Sequence, residues 1–140
     1  MSVVDTNVIV HSTAPTSPEH SRARAALVRL GSQGPVATTR QILREYLAAT
    51  TRPQSWARAF TLAEATADTE EFARRFDILE DGPLVWNELM ALSRRFAFDG
   101  KQVHDANIIA TMLAHGETRL LTFNAADFRR FEPLIEVVVP

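Results

Sequence analysis

Residues 2–8 read SVVDTNV. Two β-branched residues, Val3 and Val4, run straight into the acid Asp5 and then into Thr6 and Asn7. The apolar run is continuous rather than alternating, the pattern of a strand covered on both faces, as in a parallel sheet flanked by helices. A carboxylate at the end of such a strand has two readings. Asp5 is either a turn residue bonding its own backbone, or the first piece of a site, since open α/β sheets bind ligands at the carboxyl ends of their strands.

Working outward, the rest of the chain alternates between strand and helix signals. Ser12 to His20 (STAPTSPEH) reads as loop. A helix is expected from about Pro18, closed by Gly31. GPVATT, residues 34–39, reads as a turn and a brief extended piece. Thr38 and Gln41 have capping-box spacing at the start of a helix whose apolar stripe is Ile42, Tyr46 and Ala49. Pro53 punctuates, and a helix is expected from about Gln54 to Thr66. The acid-rich stretch 64–82 reads as solvated helix face and loop, with RFDIL (75–79) as an edge strand. Pro83 looks like a first-turn proline. KQVHDANIIATMLAHG (101–116) carries the strongest helix signal, with Val103, Ala106, Ala110 and Leu113 on one side and Gly116 ending it. TRLLTF (118–123) is a strand, NAADFRRF (124–131) a short helical turn, and LIEVVVP (134–140) a last strand. This order argues for an α/β sandwich with a mainly parallel sheet. No repeat or linker divides it, so residues 1–140 are expected to form a single domain.

Composition narrows the function classes. The chain has 140 residues, 46% hydrophobic and 23% charged, as expected of one soluble globular domain. It has no cysteine, which excludes disulfides, zinc–thiolate sites and thiol nucleophiles. That suits a cytoplasmic location. Neither a secretory signal nor a stretch long enough to span a bilayer is evident. The net charge of −2 gives no global pull toward nucleic acid. Of the 15 basic residues all but Lys101 are arginine, most simply a compositional bias.

Several acids could meet at one edge of the sheet. Asp5 ends the first strand, Glu45 lies in the helix after the second, Asp105 lies in the first turn of the strong helix, and Asn124 and Asp127 follow the strand RLLTF. Each has a bland reading: an Asx turn for Asp5, a surface pair with Arg40 or Arg44 for Glu45, a favourable charge at a helix N-terminus for Asp105, a cap for Asp127. Their joint placement is less bland. Glu45 sits among apolar residues in ILREYL, and Asp105 interrupts VHDANIIA. Converging carboxylates repel and their pKa values rise unless compensated. A hard divalent cation is the usual compensation, and Mg2+ or Mn2+ fits an all-oxygen donor set.

The stretches VVDTNVIV, LREYL, VHDANIIATMLAHG and LLTFNAADF, in that order across essentially the whole chain, resemble the PIN domain. Within it they are most similar to the VapC-type toxins of bacterial toxin–antitoxin pairs. The resemblance implies a PIN-like three-layer α/β/α sandwich with about five strands. It also implies an endoribonuclease dependent on Mg2+ or Mn2+, leaving 5′-phosphate and 3′-hydroxyl ends. Position by position, Asp5, Glu45 and Asp105 match the three core acids. Many members carry the fourth acid where this chain has Asn124, and others where Asp127 stands; Asp127 is taken as the fourth, with Asn124 a neutral ligand or water-positioning group. Thr6 and Thr122 match hydroxyl positions that would hydrogen-bond the acids. Arg40 and Arg44 either contact RNA phosphates or form a solvated face. His104 is assigned no catalytic role. A VapB-type antitoxin and a homodimer are further implied partners. Trp56, Phe60 and Leu62 would form either an apolar interface or plain core.

Two rival readings remain. A phosphoaspartyl enzyme would need a second acid beside Asp5 and a lysine after a later strand; DTN lacks the acid and Lys101 precedes a helix. A non-enzymatic PIN-like binding module would have lost core acids; only Asn124 points that way.

Overall fold

A computed structural model describes residues 1–140. The strands are β1 (Ser2–Val4), β2 (Val36–Thr39), β3 (Asp77–Leu79), β4 (Arg119–Leu121) and β5 (Glu136–Val138). The helices are α1 (Thr6–Thr13), α2 (His20–Gln33), α3 (Arg40–Thr50), α4 (Leu62–Arg75), α5 (Pro83–Arg95), α6 (Gln102–Ala114) and α7 (Ala125–Phe128), the last continuing into a 3-10 turn. All five strands are parallel, in the order β3-β2-β1-β4-β5. The continuous apolar run therefore marks the central strand. Val3 lies between Ala37 of β2 and Leu120 of β4, and Val3 and Val4 are fully buried. Ile9, Ile42, Tyr46, Ile108 and Ile109 from the helices complete the core around them. The architecture is the α/β sandwich with a parallel sheet expected above, with β3 at the edge and Pro83 at the first position of α5.

Local boundaries differ from the sequence reading in five places. No element was expected just after Asp5, and Ser12 and Thr13 were read as loop, yet Thr6–Thr13 is helical. Its Val8, Ile9 and Val10 are weak helix formers, but they are buried, and packing overrides propensity. Helix α2 passes through Gly31 and stops at Gln33, where Gly34 N–H donates to Leu30 O. A single glycine inside a helix costs only about 1 kcal/mol, which the packing of Ala23, Ala26 and Leu30 outweighs. The N-cap of α3 is Thr39, accepting from Ile42 N–H at 3.1 Å. Thr38 remains in β2, paired with Ile78, and donates its hydroxyl to Val4 O. The capping box falls instead at Thr61 and Glu64, so α4 runs from Leu62 to Arg75 and residues 54–60 are loop. On α6 the buried face is broad, including Ala106, Ile108, Ile109, Ala110 and Met112, because the helix packs against α5 and also enters the core shared with the strands; Val103 is exposed.

Candidate active site at the carboxyl edge of the sheet

Asp5 turns the chain from β1 into α1, and it fills the turn role its position suggested. Its N–H donates to Leu121 O at 3.0 Å, tying it to β4. Its carboxylate Oδ1 accepts from Thr6 N–H at 2.7 Å and so caps α1. The other oxygen, Oδ2, accepts from the Thr122 hydroxyl at 2.8 Å and from Asn7 Nδ2 at 3.1 Å. Thr122 is itself fully buried just beyond β4. Asp5 is thus fixed from three directions while only 5% exposed.

Glu45 reaches the same place from the second turn of α3. Its Oε2 accepts from the Thr6 hydroxyl at 2.6 Å and its Oε1 from Gln41 Nε2 at 2.9 Å. Asp105, in the first turn of α6, and Asp127, on α7, have no hydrogen-bond partner on their carboxylates. Asp105 is partly buried and Asp127 exposed.

The electrostatics show that these acids lie within range of one another's charge. Burial pushes the Asp5 carboxyl up to about 6; hydrogen bonds from Thr122, Thr6 and Asn7 oppose the shift and the Glu45 charge adds to it. Asp105 is also raised to about 6, first by desolvation, then by the charges of Asp127, Asp5 and Glu45, with His104 opposing. None of the four enters an ion pair with arginine, lysine or histidine. The tertiary fold has therefore brought four carboxylates to one edge of the sheet without pairing any of them to a basic side chain.

The donor set is all oxygen, which suits a hard divalent ion. No three acidic or histidine side chains converge tightly enough to enclose an ion alone. A cation here would take one or two carboxylates directly and fill its shell with water, as Mg2+ does. Asp105 and Asp127, free of competing bonds, would be the acids most available to such an ion.

The other candidate residues divide. Thr6 and Thr122 bond the acids. Asn124 contributes its backbone N–H to the Thr122 hydroxyl at 3.0 Å, while its side chain is exposed and caps nothing. Arg40 grips Glu80 through a forked pair, its Nε lying 3.1 and 3.2 Å from the two oxygens. Arg44 is exposed and carries no ion pair. Trp56 and Phe60 pack against the core, and Leu62 is exposed.

Three residues were not foreseen as part of the site. Asn7 joins Asp5, Thr122 and the N–H of Phe123, to which its Oδ1 is acceptor at 2.9 Å. Gln41 joins Glu45 to the His104 carbonyl, and Asn107 donates to Gln41. One signal was available: Gln41 is one helical turn before Glu45 and so on its face.

A parallel sheet with a cluster of unpaired carboxylates at its carboxyl edge is a recognised class of site, and the sequence fixes the family. Residues 2–132 match the PIN domain, and the chain belongs to the PIN-domain family. It is similar to Ribonuclease VapC24 of Mycobacterium tuberculosis, with 29% identity over 133 residues, 94% of this chain and 91% of the relative. Ribonuclease VapC48 of the same organism is also 29% identical over 133 residues, covering 91% and 90%. Among solved structures, the Rickettsia felis VapBC2 complex bound to a DNA fragment from its promoter matches with a TM-score of 0.70 at 16% identity, over 99% of this chain and 97% of the other. The sarcin–ricin loop cleaving toxin VapC20 of M. tuberculosis matches with a TM-score of 0.62 at 19% identity, over 86% and 87%.

Proposed function

We propose that this protein is a Mg2+- or Mn2+-dependent endoribonuclease acting as the toxin of a toxin–antitoxin pair. The observation that carries the reading is the meeting of Asp5, Glu45, Asp105 and Asp127 with no basic partner, in a PIN-domain chain whose sequence relatives are named ribonucleases. A bound divalent ion would supply Lewis-acid activation of water and neutralise charge at the phosphate.

The chain's own residues prepare the place. Thr122, Asn7 and the Thr6 amide hold Asp5 in one orientation. Thr6 and Gln41 do the same for Glu45. Asp105 and Asp127 keep their oxygens free. At neutral pH, carboxyls at about 6 are mostly ionised and ready to bind a cation. Arg44, exposed and without an ion pair, would be the freer of Arg40 and Arg44 to contact an RNA phosphate. The proposed products carry 5′-phosphate and 3′-hydroxyl ends.

The structural neighbours include toxin–antitoxin complexes, which supports a VapB-type antitoxin as partner. A homodimer and a cytoplasmic location belong to the same proposal. No helix is long and apolar enough to cross a membrane.

The test is cleavage of total cellular RNA by antitoxin-free protein, with Mg2+ or Mn2+ and then with chelator, mapping the product ends. Cleavage that needs the ion and disappears in Asp5→Asn supports the proposal. Cleavage indifferent to chelator sinks the metal reading, and none under any condition leaves the non-enzymatic binding module.

A further inference from the structure

Asp5 is held by its own neighbours and by β4, but Glu45 and Asp105 come from different helices, and their spacing needs a tie between α3 and α6. One side chain makes that tie. The Gln41 carboxamide, only 9% exposed, donates through Nε2 to Glu45 Oε1 at 2.9 Å and to the His104 carbonyl at 2.8 Å. That carbonyl belongs to the peptide group joining His104 to Asp105. Both amide protons are thus spent, one on the Glu45 carboxylate and one on the backbone that carries Asp105.

The third contact decides which way the amide lies. Gln41 Oε1 accepts from Asn107 Nδ2 at 2.8 Å. A flipped amide would turn Oε1 toward the Glu45 carboxylate and the His104 carbonyl, both acceptors, and face NH2 against the NH2 of Asn107. Every contact would become repulsive, so one orientation is enforced. A hydrogen bond from a neutral donor to a carboxylate is also stronger than one between neutral groups.

From this arrangement we propose that Gln41 is a positioning residue: it latches α3 to α6 so that Glu45 and Asp105 are held at a fixed spacing for the divalent ion, with Asn107 locking its amide. The assignment rests on the metal-dependent reading of the site given above. It goes beyond that reading in naming a carboxamide, not an acid or hydroxyl, as the part that sets the geometry between two of the acids. In this role Gln41 is a ligand of neither RNA nor ion, its amide being committed to Glu45, His104 and Asn107. Its effect is therefore on ion affinity, not on substrate binding.

The experiment is Mn2+ binding followed by loss of the free-ion EPR signal, with RNA cleavage measured against Mn2+ concentration in parallel. The proteins are wild type, Asp105→Asn, Gln41→Met, Asn107→Ala and the double variant, all kept well below their melting temperatures. Gln41→Met keeps the volume of the side chain and removes its three hydrogen bonds. Loss of a group supporting metal ligands typically weakens ion binding about 10- to 100-fold. The expected result is a rise of that size in the Mn2+ Kd and in the half-maximal Mn2+ concentration, with KM for RNA unchanged. Asn107→Ala, which spares Gln41, should fall between wild type and Gln41→Met. The double variant should be no worse than Gln41→Met, because Asn107 acts through Gln41.

A purely structural role would lower melting temperature and leave the Mn2+ Kd of the folded protein where it was. Wild-type affinity in both single variants, with Asp105→Asn still impaired, overturns the latch and leaves the metal reading standing. Failure of the wild type itself to bind Mn2+ overturns the metal reading, and the latch falls with it.

Discussion

Two sets of carboxylates in this protein have opposite fates. On the outer surface Glu64, Glu71 and Glu80 each meet arginine: Arg58, Arg74 with Arg75, and Arg40. Their carboxyls are held below the usual range, Glu64 at about 2, chiefly by the hydrogen bond from Arg58. At the carboxyl edge of the sheet, Asp5 and Asp105 are pushed up to about 6, first by burial, then by neighbouring carboxylates: Glu45 acts on Asp5, and Asp127, Asp5 and Glu45 act on Asp105. The chain is rich in arginine, yet none is spent on these acids. Surface acids stabilise the fold weakly and locally; at the edge, burial disfavours the charged forms of Asp5 and Asp105. That difference is what the proposed cation site would require, with its missing charge supplied from outside.

The largest effect that could break this contrast is on activity. Asp105→Asn removes a charge without removing any protein hydrogen bond. RNA cleavage should fall at least about 100-fold, the scale of losing an electrostatic group at a reaction centre, while the circular dichroism spectrum is unchanged. Near-parental cleavage by this variant would place the chemistry elsewhere.

Next in size is stabilisation by the ion. Both raised carboxyls must be ionised to bind it. At pH 7.5, Mn2+ at about 100 times its Kd should stabilise the fold by about 2.7 kcal/mol. At pH 5 protons compete and the gain should shrink sharply. Equal shifts in melting temperature at the two pH values would argue against ion binding at these acids.

The metal-free protein should show the opposite slope. A folded-state carboxyl at about 6, against about 4 in the unfolded chain, binds its proton more tightly when folded. The stability it contributes is fully present below about pH 4 and is lost as pH rises through about 6. The surface glutamates slope the other way, contributing above their unfolded values and losing that stability as pH falls through the folded ones. Asp105→Asn should flatten the metal-free decline between about pH 4 and 6 and raise the melting temperature at pH 7.5 by about 2 to 5 °C. Chemical or thermal unfolding across that range would reveal it.

The smallest effects belong to the arginines. Arg44→Ala should raise KM for RNA a few-fold, about the effect of one phosphate contact. Arg40→Ala should do less, since that guanidinium is already committed to Glu80. Arg58→Ala should leave the melting temperature within about 1 °C of the parent, as exposed ion pairs contribute little. A large loss of RNA affinity in Arg40→Ala alone would show that the Glu80 pair opens for substrate.

Much of this was legible in the amino-acid order. The unbroken VV before Asp5 gave the central parallel strand, since a strand buried on both faces needs no alternation. The order of strands and helices gave the layered α/β class, and the four motifs identified the family. Short-range boundaries were less legible. Thr38 and Thr39 are equally good caps in isolation and both lie in β2; only the tertiary structure separates them, committing the Thr38 hydroxyl to Val4 O and leaving the Thr39 hydroxyl to accept from Ile42 N–H. Helix α1 was missed because Val8, Ile9 and Val10 are weak helix formers, and only their burial makes a helix there.

By itself the sequence determined which residues have the chemistry of a cation site: three acids and an uncertain fourth, spaced along the chain. The tertiary structure decided what each one meets. It places Asp127 within reach of the Asp105 charge and turns Asn124 into a backbone donor to Thr122. It also commits Arg40 to Glu80 and brings Gln41 and Asn107 between two helices. The reason is physical. A residue's capacity to donate, accept or ionise is local, whereas its partners and its desolvation depend on groups far away in the chain, such as Asp5 and Thr122, that meet only when the sheet forms.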